Sequence, residues 1–112
     1  MDNAIDNKAL NREKLLEIMT DNLPALRAMI GLSQDDISNI IGISRQTYCA
    51  IETHKRKMSW NTFMSLLFLF WYNEKTKMLV SAIDVFPKEL QATLQRGNQG
   101  NIFNKKAQNI SL

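Results

Sequence analysis

The chain has 112 residues, 45% of them hydrophobic and 22% charged, with a net charge of +3 and a sequence pI of about 9.2. That length allows one domain with a modest core, and the composition excludes wholesale disorder. A single cysteine, Cys49, excludes an internal disulfide and a thiolate-built metal site, and it fits a reducing cytoplasm.

The first segment, residues 1–22, carries three cations and five anions, against five and three in residues 23–59 and six and three in residues 60–112. An acidic opening before a basic remainder points to an anionic partner bound after Leu23. The N-terminus, MDNAIDNKALNREK, has no apolar signal core. Leu15, Ile18 and Met19 recur at helical spacing and predict a first amphipathic helix over residues 7–19. Pro24 suits the first turn of a second helix, ending near Ile30, that buries Leu26, Met29 and Ile30 and is capped by Gly31.

Ser33 is the next N-cap, with Asp36 three residues on, and Ile37, Ile40 and Ile41 form the apolar face of the helix it starts. Gly42 ends that helix in a tight turn, Ile43 plugs inward, and Ser44 caps a helix that buries Tyr48 and Ile51. Ser59 caps a longer helix, 60–72, apolar nearly all round and so central to the core. Its run FMSLLFLFWY is about half the length of a bilayer span, so a membrane protein is not expected. Residues 76–86 and 87–95 predict two further short helices, and from Arg96 the Asn/Gln/Gly-rich remainder shows no periodicity and is expected to be flexible.

The stretch SQDDISNIIGISRQTYCAIE, residues 33–52, meets the physical requirements of a helix-turn-helix. Two short helices flank a glycine that accepts a left-handed conformation, and a small residue, Ser38, stands where the helices cross. Together with LRAMIGLSQDDIS and the cationic KRKMSWNTFMSLL, it resembles the Cro/phage-repressor-like helix-turn-helix proteins, the Xre family of bacterial regulators, over about residues 23–72. Gln34, Ser38, Gly42, Ile43, Ser44, Ile51 and Glu52 fall together at that family's spacing.

The resemblance implies an all-α fold: a five-helix repressor-like bundle (23–73) with an N-terminal helix packed on it (1–22), a C-terminal helical extension (74–95) and a flexible tail (96–112). It makes the helix after Ser44 the recognition helix, which enters the major groove of double-stranded DNA. Arg45 and Gln46 are then the first base-reading candidates, because arginine grips guanine and glutamine adenine with two hydrogen bonds. Cys49 and Ala50 follow on the same face, Ala50 against a thymine methyl.

Ser33 and Gln34 are implied to bind phosphate at a helix N-terminus, Thr47 to bind phosphate or close its own cap, and Lys55, Arg56 and Lys57 to lie along the DNA backbone. Arg27 and Glu52 occupy the positions of a structural ion pair. His54 stands where the family commonly has glycine, which puts the shape of the cationic loop in doubt.

The functional expectation is a cytoplasmic transcriptional regulator, a repressor in the first instance, with no cofactor, no metal and no small-molecule substrate. One recognition helix covers few base pairs, so a homodimer on a palindromic operator is expected, joined through residues 76–95. No serine–histidine–acid set or glycine-rich phosphate cradle suggests an enzyme. The alternative is an antitoxin-like or adaptor module in which the aromatic helix and the tail hold a partner protein.

Overall fold

The computed structural model describes the backbone of residues 3–97 and the side chains of residues 11–94. Those residues form six helices and no strand: α1 (Asn3–Ile30), α2 (Gln34–Ile41), α3 (Arg45–Glu52), α4 (Trp60–Tyr72), α5 (Glu74–Ala82) and α6 (Lys88–Gly97). Of the tail expected to be flexible, 96–112, Arg96 and Gly97 belong to α6, and residues 98–112 lie outside the described residues.

The two helices expected on either side of Asn22 are one. α1 runs through Pro24 without a break. An interior proline removes one backbone hydrogen bond and crowds the preceding turn, at a cost of about 3 kcal/mol. Met19, Leu23 and Leu26, at i, i+4 and i+7, are all fully buried, and burial stabilises by roughly 1.5–3 kcal/mol per large apolar side chain. That sum exceeds the proline's cost. Side chains also bond the turns before Pro24: Thr20 Oγ1 donates to the Leu16 carbonyl and Asn22 Nδ2 to the Ile18 carbonyl, each at 2.8 Å.

α1 ends at Gly31, whose φ of 68° lets the Leu32 amide reach back to the Arg27 carbonyl at 3.2 Å. Met29 is 39% exposed, against the expectation that it is core.

α2 opens with a complete capping box. The Asp36 amide donates to Ser33 Oγ and the Ser33 amide to Asp36 Oδ2, both at 3.0 Å. These bonds hold the Asp36 carboxyl below its ordinary pKa, the backbone bond from Ser33 being the main cause.

At the other end of α2, Gly42 takes φ 81°, and the amides of Gly42 and Ile43 both donate to the Ser38 carbonyl, at 2.9 and 3.0 Å. Space is not what demands glycine there, since a Cβ would meet nothing within 4 Å; the left-handed backbone is. Ser38 is buried beside the turn, its hydroxyl donating to the Asp35 carbonyl at 2.9 Å. Ile37 is fully buried, but Ile40, expected on the same apolar face, is 57% exposed.

α4 supplies Phe63, Leu66, Leu67 and Phe70 to the core and packs against α1, α2 and α5. Tyr48 and Ile51 of α3 join them with Met58, Val80 and Val85. α5 begins two residues before the expected start because Asn73 caps it, accepting from the Lys75 amide at 2.8 Å. Buried Thr76 fixes the α4–α5 corner by donating to the Phe70 carbonyl at 2.6 Å.

Candidate functional site

Glu52, at the last turn of α3, gathers four donors. Arg27 of α1 donates from Nε to Oε2 and from Nη2 to Oε1, both at 3.0 Å. Gln34 Nε2 donates to Oε1 at 2.8 Å, and the Tyr48 hydroxyl donates to Oε2 at 2.7 Å. All four lone-pair positions of the carboxylate are therefore filled. Arg27 spends a further N–H on the Leu32 carbonyl at 3.0 Å, so one guanidinium joins α1, the α1–α2 loop and α3.

The Glu52 side chain is only 7% exposed. Burial pushes its carboxyl up, but the bonds from Arg27, Tyr48 and Gln34 outweigh that and hold it below its ordinary value. The same pairing raises Arg27, and burial, with Glu52 adding, raises the Tyr48 phenol, so Tyr48 stays a neutral donor. A buried pair of this kind fixes geometry more than it adds stability over an apolar pair, although removing one member costs about 3–5 kcal/mol. Here it sets the attitude of α3 against α1 and α2.

α3 starts at Ser44, whose Oγ accepts from the Thr47 amide at 3.0 Å and donates to Thr47 Oγ1 at 2.9 Å. Thr47 thus closes its own cap. Arg45 and Gln46, in the first turn, are exposed. With Cys49, Ala50, Thr53 and Lys55 they line one shallow groove of about 480 Å³. The four residues expected to read bases share this single surface.

Cys49 also faces inward, its thiol donating to Gln34 Oε1 at 3.0 Å. Gln34 is consequently held on two sides by α3, and one amide hydrogen is left for an outside acceptor. Ser33 uses its oxygen in the capping box, which leaves its hydroxyl hydrogen as a donor.

His54 adopts the left-handed conformation, φ 66°. Around it the His54 amide donates to the Ile51 carbonyl at 3.0 Å and the Lys55 amide to the Ala50 carbonyl at 2.8 Å. This is a Schellman end built without glycine.

The cationic run after it divides. Lys55 lines the α3 groove, whereas Arg56 and Lys57 turn toward α1 and line a cleft of about 210 Å³ with His54, Glu13, Glu17 and Thr20. Lys57 Nζ is paired with Glu13, which raises its pKa, and His54 Nε2 lies 3.5 Å from Asp21 Oδ1.

Sequence reasoning did not foresee these α1 partners. Their i, i+4, i+8 spacing, Glu13–Glu17–Asp21, was the signal. It likewise missed that the Tyr48 hydroxyl and the Gln34 amide join the Arg27–Glu52 pair.

A second surface stands apart from the groove. Phe68 and Tyr72, 71% and 81% exposed, stack at 5.9 Å on α4 beside exposed Ile40. Ile40, Ile41, Met64, Ser65, Phe68 and Leu69 line an uncharged groove of about 470 Å³. Among the described residues no helix is long and apolar enough to cross a membrane, and no group of three or more acid, histidine and cysteine side chains could hold a metal ion. No family model matches the sequence, and no curated protein or solved structure matches the chain.

Proposed function

We propose that the protein is a sequence-specific double-stranded DNA-binding regulator, and that α1 to α5 correspond to a repressor-like five-helix bundle, in place of residues 23–73, which hold only the end of α1 and α2 to α4; its first helix is extended at its N-terminus and α6 is added. The observation that carries the reading is the α2–Gly42–α3 unit. Its second helix is locked from behind by Arg27, Gln34 and Tyr48 on Glu52, while Arg45 and Gln46 stand exposed at its leading end. A reading helix needs that combination: a fixed attitude, so that side chains meet base edges in register, and an unobstructed first turn.

In the proposed complex Arg45 and Gln46 read bases, Ala50 lies against the groove floor, and Cys49 acts through Gln34 rather than on a base. The remaining amide hydrogen of Gln34, the Ser33 hydroxyl and Lys55 contact phosphate. A protein of this kind acts by occupancy, as a repressor where its operator overlaps a promoter.

Two copies are needed for useful specificity, and the α2–α4 apolar face is the proposed meeting surface, in place of residues 76–95. Large aromatic side chains present about 150–250 Å² each, so Phe68, Tyr72 and Ile40 expose roughly 400 Å² of apolar surface per copy. That is about half of the ~800 Å² per partner in a standard interface, with Ile41, Met64 and Leu69 available as its rim. The same face favours the second reading, an adaptor that holds a different protein there.

Binding to a random duplex at low salt separates the two. The DNA reading expects measurable affinity that falls steeply as salt rises, and no binding at low salt would overturn it. Within that reading, Arg45→Ala should relax sequence preference, and an equal loss on every sequence would remove its base-reading role.

A further inference from the structure

The acidic face of α1 and the loop after α3 meet across a cleft that the proposed function leaves unused. Glu13, Glu17 and Asp21, spaced four residues apart, present three carboxylates along one line of the helix. Opposite them stand His54, Arg56 and Lys57. Lys57 is paired with Glu13, and His54 lies 3.5 Å from Asp21. Between those two contacts Glu17 faces the same loop and adds its field at Lys57. A row of anions at regular intervals, facing the two fixed cations Arg56 and Lys57, reproduces in outline what a phosphate strand offers.

We propose that Glu13, Glu17 and Asp21 form a built-in competitor for the phosphate backbone, which occupies the loop cations nearest α1 and lowers sequence-independent DNA affinity. The inference rests on the DNA-binding reading. All the paired groups are half or more exposed, so each contact is weak and exchanges readily. That suits a damper, which must yield where other contacts bring a phosphate close.

The competitor accounts for an otherwise contrary arrangement, in which Glu13, Glu17 and Asp21 of α1 lie against the chain's most concentrated cationic run. The geometry also separates the roles within that run. Lys55, in the α3 groove, is a standing phosphate contact, whereas Lys57 is a conditional one.

The test is a double-mutant cycle on the full chain, read by fluorescence anisotropy on a random-sequence duplex across a salt series. Glu13→Gln with Glu17→Gln keeps side-chain size on exposed positions and releases Lys57. One added phosphate contact steepens the log–log salt slope by about 0.9 and tightens binding roughly fivefold to tenfold near 0.1 M salt. Lys57→Ala should change affinity less than about twofold in the native background and remove that whole gain in the double-Gln background.

Equal losses from Lys57→Ala in both backgrounds would overturn the competitor, since Lys57 would then reach phosphate regardless of Glu13. No loss in either background would overturn it as well. Failure of the native chain to bind the duplex at low salt would overturn the DNA reading itself, which keeps the two failures distinct. Unchanged circular dichroism and melting temperature in each variant exclude a folding cause.

Discussion

Replacing Glu52 with glutamine alters one atom and should unseat α3. The carboxylate accepts from Arg27 Nε, Arg27 Nη2, Gln34 Nε2 and Tyr48 Oη at 2.7–3.0 Å, and each of its oxygens takes two of these donors. A glutamine turns one oxygen into an amide NH2, which faces two donors and can accept from neither. Hydrogen bonds to a charged group contribute about 1.5–3 kcal/mol each, and breaking a buried pair costs about 3–5 kcal/mol.

Arg27 is 21% exposed, so water relieves part of its loss and places the expected cost at the lower end, about 3 kcal/mol. At about 4–8 °C per kcal/mol for a small domain, the melting temperature should fall by roughly 12–24 °C in thermal unfolding followed by circular dichroism.

The pH dependence has a definite sign. Glu52 is held below its ordinary value of 4.5, so its charge stabilises the fold fully above that value and progressively less as pH falls through the lower folded value. The native protein should lose this part of its stability below about pH 4.5, and Glu52→Gln should not. A melting temperature within about 3 °C of the native protein's, or an unchanged acid limb in the variant, would refute the claim that this carboxylate ties α1, α2 and α3 together.

Three further outcomes are expected. His54→Gly relieves a side chain held at φ 66°, and against the greater freedom of the unfolded glycine chain should still stabilise by about 0.5–1 kcal/mol in urea unfolding; a destabilised variant would contradict the Schellman account of the loop. If the α2–α4 face joins two copies as proposed, Phe68→Glu should leave a monomer where the native protein sediments as a dimer, with little change in melting temperature because the ring is 71% exposed; a native monomer, or an unchanged sedimentation coefficient in the variant, would contradict that surface. Lys55→Ala should weaken binding to all duplexes alike and flatten the salt slope by about 0.9, and a change confined to particular sequences would contradict a backbone contact.

What the sequence disclosed, and what it hid, divides along physical lines. Caps are local, so Ser33, Ser44 and Ser59 marked the starts of α2, α3 and α4, and Gly42 marked the turn. Pro24 misled because local propensity argues for a break where three fully buried side chains on the same helix outweigh it. Met29 and Ile40 misled because periodicity finds an apolar stripe but not how wide a neighbour covers it.

The Arg27–Glu52 pair was expected only from a resemblance, and its Tyr48 and Gln34 bonds were not expected, because they depend on the rotation of α3 between two other helices. The pairing of Lys57 with Glu13 spans 44 residues, a separation at which sequence offers charges but no distances.

The central claim, that α3 reads base pairs from two copies of the chain, is tested most directly by selecting bound duplexes from a random library with the full-length protein. The account predicts an enriched inverted repeat, with half-sites about 10–10.5 base pairs apart centre to centre or a multiple of that spacing. Recovery of duplexes with no enriched sequence, or of no duplex above background at low salt, would contradict it.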